Sequence, residues 1–271
     1  MERALYADGT GFFVAGGPPA RHFRTSVHAS PLFVRAIGRL LGKVDEALGR
    51  PSTVDVVDVG AGGGELLVAL PSAVPEDLAG RLRLTAVERA PRPATLPASI
   101  GWQETLPARV TGLLLATEWL ERWWPLASGT VAEIGVPRDE AWRAAVSTVD
   151  RGLALCVDYG HLRATRPAVG TLCGYRYGRQ VPPVPDGSCD LTAHVAVDAL
   201  ATPRSTLMRQ RDALRALGVT ADRPPRALAG TDPAGYARAL ADATGAAELT
   251  DPAGLGGHFW LLEPVGIRSA P

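Results

Sequence analysis

The chain has 271 residues, with 28 basic and 28 acidic side chains, a formal charge of zero, and 46% hydrophobic against 21% charged residues. This composition excludes a disordered chain, and its balanced charge gives no reason to expect nucleic acid or an anionic membrane as a partner. Three cysteines without C-x-x-C spacing (Cys156, Cys173 and Cys189) indicate neither a disulfide framework nor a zinc site, and no apolar stretch approaches the 18 residues that a membrane span requires.

The start of the chain, MERALYADGTGFF, lacks an uninterrupted apolar segment, so no signal peptide is expected and the cytoplasm is the default location. The next residues, through GGPPARHFRTSVHA, read as loop. SPLFVRAIGRLLGKVDEALG then predicts a helix, with Ser30 as cap, Pro31 in the first turn and Gly49 as its stop. From residue 53 strands and helices alternate. TVDVVDV is an apolar run of the kind buried in a parallel sheet, and ELLVALPSAV is helical as far as Pro75. RLRLTAVE gives a second strand ending at Glu88, SIGW a weaker third, VTGLLLATEW a fourth and GLALCVDYG a fifth. The alternation predicts a doubly wound α/β domain, whose ligands sit at the carboxyl ends of the strands. Residues 161–205 are rich in Pro, Gly and Arg and too long for an ordinary connection, so they read as a cap over that face. Two helices, RQRDALRALGV and TDPAGYARALADA, and a last strand, HFWLLEPV, close the chain.

The stretch VDVVDVGAGGGELL carries the first chemistry. A dinucleotide fingerprint needs a third glycine where Glu65 stands, and no Lys-Ser or Lys-Thr follows to make a phosphate-binding P-loop. What is present is D-x-G-x-G-x-G, formed by Asp58, Gly60, Gly62 and Gly64, with Ala61 between them. A carboxylate before the glycines repels a pyrophosphate, but it suits a ligand with an ammonium or a sulfonium group. S-adenosylmethionine (SAM) carries both and has no phosphate. Glu88, ending the second strand, is placed to accept hydrogen bonds from two ribose hydroxyls. A glycine-rich turn alone could equally serve to let a strand meet a helix tightly; the two carboxylates favour SAM.

YADGTGFF, FRTSVHASPLF, DVGAGGGEL, ATEWLERWWP, CVDYGH, GTLCGYR and DLTAHV follow one another in the order found in the MidA-like methyltransferases, and the chain resembles that family from about residue 4 to its end. The resemblance implies a class I SAM-dependent methyltransferase: a Rossmann-like doubly wound sheet with a helical or loop cap inserted after the fifth strand. It also implies ω-N-methylation of a protein arginine, the activity of the family's founding member. The implied organisation is an N-terminal loop and helix (residues 1–49), a SAM-binding core (50–160), an inserted substrate region (161–245) and C-terminal strands completing the sheet (246–271). The sequence departs from the family pattern at Thr117 and Glu121, which replace Asn and Asp in N-E-x-x-D, and at Arg209-Gln210, where Thr-Gln is expected. The family's members begin with a further helical segment before the A-L-Y motif, which here lies at the start of the chain.

Methyl transfer to arginine calls for carboxylates that hold the guanidinium bidentately and leave one nitrogen poised. Glu118 ends the fourth strand, and T-E-W-L-E looks like the first half of the glutamate loop of other arginine methyltransferases; Glu121 is the candidate second acid. Asp158 either orients substrate or anchors the cap backbone, and His161 reads as a solvated loop residue. In DLTAHV, Asp190 is a candidate for holding substrate, and His194 either takes the departing proton or makes a structural hydrogen bond. Tyr159 and, within GTLCGYR, Arg176 complete the substrate candidates. Thr25 and Ser26 resemble the family's loop over SAM, and Trp102 and Gln103 stand where a class I site meets adenine, although Trp102 reads equally well as core. His22, His28 and His258 have no ligand spacing, so no metal is expected. The expected partner is a protein substrate or a small molecule, and nothing in the sequence argues against a homo-oligomer. Alternatives to a protein-arginine enzyme are a methyltransferase for a small molecule or peptide and a non-catalytic assembly factor.

Overall fold

The computed structural model of the chain describes residues 4–5, 7, 10–15, 25–120 and 135–267. Its centre is a seven-stranded sheet. In chain order its strands are β1 (Val54–Val59), β2 (Leu82–Val87), β3 (Gly101–Gln103), β4 (Val110–Thr117), β5 (Val149–Asp158), then, past the cap, Thr206–Arg209 and Phe259–Val265. They lie in space as β3-β2-β1-β4-β5, followed by Phe259–Val265 and Thr206–Arg209 at the far edge. The first five are mutually parallel, while Phe259–Val265 runs antiparallel to β5 and pairs Phe259 with Asp158. The order reverses between β1 and β4, which makes their carboxyl ends the crevice in which such sheets bind ligands.

Both faces of the sheet are covered, which is why its central strands read as continuous apolar runs. Val54 and Val56 join one buried cluster, Val57 and Val59 the other, as a period of two requires. The first cluster is built on helix α1 (Pro31–Leu48), whose Phe33, Ile37, Leu40, Leu41 and Val44 are fully buried. The expected signals make that helix: the Ser30 hydroxyl accepts from the Leu32 amide at 3.3 Å, and Gly49 closes it at φ 81°. Asp45, on the same helix, is buried and held at both oxygens by the Arg81 guanidinium (2.7 Å each), which ties α1 to the entry of β2.

Several elements differ from expectation. The segment after the glycines is helix α2 (Glu65–Ala69) tightening into a 3-10 turn at Leu70–Ala73, where Pro71 removes a helical donor. Helix α3 (Gly135–Thr148) has only a weak apolar face and was not foreseen; it buries Trp142 and Ala145 on the second cluster. Within the span 161–245 assigned to the cap, Thr206–Arg209 belongs to the core sheet. The helices that follow, α4 (Gln210–Ala216) and α5 (Pro233–Thr250), contribute Leu214, Ala246 and Leu249 to the α1 cluster. The inserted region is therefore shorter, and it is made of strands rather than helices. Cys173–Arg176 pairs antiparallel with both Arg179–Val181 and Asp190–Thr192, and Gly160–His161 pairs with Val195–Ala196. Its Pro and Gly content excludes long helices but permits short paired strands. Among the described residues, no helix is long and apolar enough to cross a membrane.

Candidate active site

Parallel pairing puts the ends of β1, β4 and β5 side by side, Asp58 against Leu115 and Thr117 against Val157. The Gly60 amide donates to Val87 O and the Glu118 amide to Val157 O, which fixes the two turns that leave the sheet. Gly60, Gly62 and Gly64 adopt φ values of 74°, 57° and 83°, in the region that favours glycine, and a Cβ on Gly60 would lie 2.7 Å from the Trp119 ring. The glycines therefore serve both backbone conformation and close packing at this turn.

A narrow crevice of about 50 Å³ opens there, lined by Thr25, His28, Asp58, Gly60, Ala61, Gly62, Glu65, Thr117 and Glu118 among others. Its outer wall is the short helix Ser26–Ala29. The Thr25 hydroxyl meets His28 Nδ1 at 2.7 Å, and His28 Nε2 lies 3.6 Å from the Glu65 carboxylate. A nucleoside needs several hundred Å³, so its entry requires the His28 side of this wall to move; the partly buried His28–Glu65 contact at 3.6 Å holds that side, while Ser26 stays tied to Glu118 and Gln210. Asp58 is buried at the base with Oδ1 meeting no partner among the described residues. Burial, and then the carboxylates of Glu88 and Glu65, push its carboxyl up to about 8. The Glu88 carboxylate accepts from the Gly62, Arg89 and Ala90 amides at 2.8–3.0 Å, so it braces the glycine turn that it borders. A buried orphan carboxyl, a cradle in which a side chain would collide and a second carboxylate at the next strand end fit a cationic nucleoside.

A second, wider cleft of about 520 Å³ lies on the other side of Glu118, which lines both. Glu118 is 8% exposed, takes φ 51° and accepts from the Ser26 amide at 3.3 Å. A non-glycine residue in this conformation costs energy that the surrounding structure must overcome, and such residues cluster at functional sites. Tyr159, Cys173, Tyr175, Asp190, Thr192, His194 and His258 also line the cleft. Tyr159 hydrogen-bonds Thr192 and packs against the rings of His194 (5.9 Å) and His258 (5.5 Å). Burial, with His194 nearby, pushes the His258 imidazole down to about 4.

The structure thus gathers Thr25, Asp58, Gly60, Ala61 and Gly62 at the crevice and Tyr159, Asp190 and His194 at the cleft, with Glu118 between. Other expected residues stand elsewhere. Ser26 is buried, its hydroxyl paired with Gln210. Gly64 caps α2 outside the crevice lining. Trp102 packs on the core and donates to Ala90 O, and Gln103 donates to Thr105 O, so neither lines the crevice. Asp158 is fully buried and accepts from the Leu120 amide at 3.1 Å, the anchoring geometry. Arg176 alternates with the cleft-lining Tyr175 along its strand and is exposed, outside the cleft lining. Glu121 lies outside the described residues. His161, expected in solvent, is buried, and burial holds its imidazole below the usual value.

Two residues were missed. Gln210 is fully buried, bonded to the Ser26 hydroxyl, the Trp260 indole N–H and Leu249 O, and so ties the crevice wall to the last strand. Gln210→Ala is expected to destabilise the protein by about 3 kcal/mol, measured by urea unfolding, because it orphans a buried indole donor and leaves a cavity. His258, the other, stands one residue before the antiparallel strand. Such a strand starts where the parallel strands end, and that is the signal that could have found it.

No curated protein matches the sequence. Among solved structures, a candidate methyl transferase from Burkholderia thailandensis bound to S-adenosyl-homocysteine aligns over 99% of this chain and 87% of its own, with a TM-score of 0.77 at 23% identity. A native crystal structure of an uncharacterised protein from the same organism aligns over 99% and 86%, with a TM-score of 0.72 at 23% identity. The plantazolicin methyltransferase BpumL, in complex with SAH, aligns over 97% and 93% at a TM-score of 0.50 and 10% identity. These likenesses establish the class I methyltransferase fold. Residues 116–218, from the end of β4 through the cap to the close of α4, match the model of the family described as "Putative S-adenosyl-L-methionine-dependent methyltransferase". Fold, cradle and matched segment together identify a SAM-dependent methyltransferase.

Proposed function

We propose that the chain methylates a nitrogen of a cationic acceptor, with arginine on a protein as the favoured substrate, as the MidA-like resemblance implies. One observation carries this reading. Among the described residues, those lining the wide cleft include two buried carboxylates, Glu118 and Asp190, and neither lysine nor arginine. Burial keeps the cleft's His258 neutral, so the ionisable groups of its described lining are negative or uncharged. An anionic acceptor would enter such a cleft at a large electrostatic cost, whereas a guanidinium meets complementary charge.

When bound, SAM supplies an electrophilic methyl group on a sulfonium. Asp58 and the glycine turn would hold its cationic and backbone-facing parts, and Glu88 its ribose. Glu118, lining both spaces, aligns the acceptor nitrogen and concentrates its lone pair on the side facing the crevice. Asp190, from the cap, would serve as a second acid. The Ser26–Ala29 wall excludes water once it recloses.

Tritiated SAM supplied with the protein and a cell extract tests this reading. Label is expected in methylarginine after acid hydrolysis of the protein fraction. Label in a low-mass fraction would instead favour the small-molecule or peptide alternative, for which the open cleft leaves room. Absence of transfer with intact SAM binding would favour the assembly factor.

A further inference from the structure

We propose that His258 takes the proton displaced from the acceptor nitrogen, an inference that rests on the cationic-acceptor reading above. The ring lines the wide cleft together with Glu118 and packs 5.5 Å from the Tyr159 ring. Its backbone is fixed, since the His258 carbonyl accepts from the Gln210 amide at 2.8 Å and Phe259 begins the sheet's antiparallel strand. Its Nδ1 is buried with no hydrogen-bond partner among the described residues. Among the described residues, no carboxylate hydrogen-bonds the ring, as one does where histidine serves a structural ion pair.

Among the described residues, the titratable groups that share the cleft lining with His258 are Glu118 after β4, Tyr159 after β5, Cys173, Tyr175 and Asp190 of the cap strands, and His194 beyond them. Arg209, on the adjoining strand, donates to Gly257 O and lies over the Phe259 ring, turned to the backbone. His194 is the group most able to take His258's place, and protein around it and nearby His161 hold its imidazole low as well. It stands exposed at the cleft mouth, however, where water can serve the same end.

A weakly basic imidazole suffices for this step. The nitrogen–carbon bond forms as the carbon–sulfur bond breaks with its electron pair left on sulfur. A guanidinium that gained a methyl without losing a proton would carry two charges, so its N–H becomes strongly acidic as the bond forms. The proton passes to the imidazole, then to water, leaving a singly charged methylguanidinium. A histidine already protonated at neutral pH would bring a further cation into a site that must hold a sulfonium and a guanidinium together. Burial keeps His258 neutral and able to accept.

The test uses the full chain labelled with ¹⁵N-histidine, with acetyl-arginine amide as probe. The His258 ring, assigned by its disappearance in His258→Gln, is expected to stay neutral from pH 5 to 9 and to shift when the probe binds. His258→Ala is expected to lower kcat for the probe at least 30-fold, with SAM affinity changed less than threefold, and added imidazole should restore part of the rate in proportion to its neutral form. Probe binding without a His258 shift, wild-type turnover in His258→Ala, or a lost rate that imidazole does not restore would each overturn the proposal alone. Failure of the probe to bind the wild type would overturn the cationic-acceptor reading and this inference with it.

Discussion

Asp58→Asn is expected to weaken SAM binding by at least 30-fold while making the free protein more stable at pH 8. In the free protein this carboxyl is raised from 3.8 to about 8 by burial and by Glu88 and Glu65. The folded state therefore binds a proton that the unfolded state gives up across that range. Its contribution to stability is highest below about pH 4 and declines as pH rises toward 8. Asparagine has nothing to ionise, so the variant should lose this slope and gain about 2 kcal/mol or more at pH 8, a rise of about 5 °C in Tm. Binding runs the other way. A cationic ligand stabilises the ionised carboxylate, so SAM must displace the proton, and its affinity should rise about tenfold per pH unit between pH 6 and 8. Calorimetry in two buffers of different ionisation enthalpy would show close to one proton released per SAM at pH 7. Buffer-independent heats, or a variant that binds SAM as the wild type does, would show that Asp58 is not the group that meets the cation.

The same residue illustrates what the sequence discloses. Asp58, Glu88 and Glu118 could be placed because each ends an apolar run, and in a parallel sheet the ends of such runs share one rim. Helix α1 was legible because cap, stop and apolar spacing agree. The pairing of Phe259 with Asp158 was not legible, since a hundred residues of chain separate them, and with it went His258 and the neighbouring Gln210. In the cap, the motif GTLCGYR drew attention to Arg176, while the strand period turned Tyr175 to the cleft in its place. Motif matching identifies a segment; only pairing decides which alternate side chain faces inward. Helix α3 escaped notice because burial of Trp142 and Ala145, not a continuous apolar stripe, holds it to the sheet.

Glu118→Gln is expected to lower kcat for methyl transfer by about 100- to 10,000-fold, with SAM affinity changed by less than tenfold. The two effects separate because Glu118 borders both spaces but other residues share the nucleoside's load: Asp58, the glycine turn and Glu88 remain in place. Among the described residues of the cleft lining, Asp190 is the only other carboxylate, and it comes from the cap, not from the β4 end that adjoins the crevice. Glutamine keeps the size of the side chain and can still accept from the Ser26 amide, so the φ 51° turn and the crevice wall should survive. What it removes is the charge that draws a guanidinium's positive density away from the reacting nitrogen. The loss should therefore fall on kcat more than on KM for acetyl-arginine amide, since Asp190 still binds the cation in the ground state. Single-turnover rates at saturating SAM would read this directly. A variant with unchanged kcat and a raised KM would make Glu118 a binding residue only. One that lost SAM affinity together with rate would show that the turn at the end of β4 had not survived the substitution.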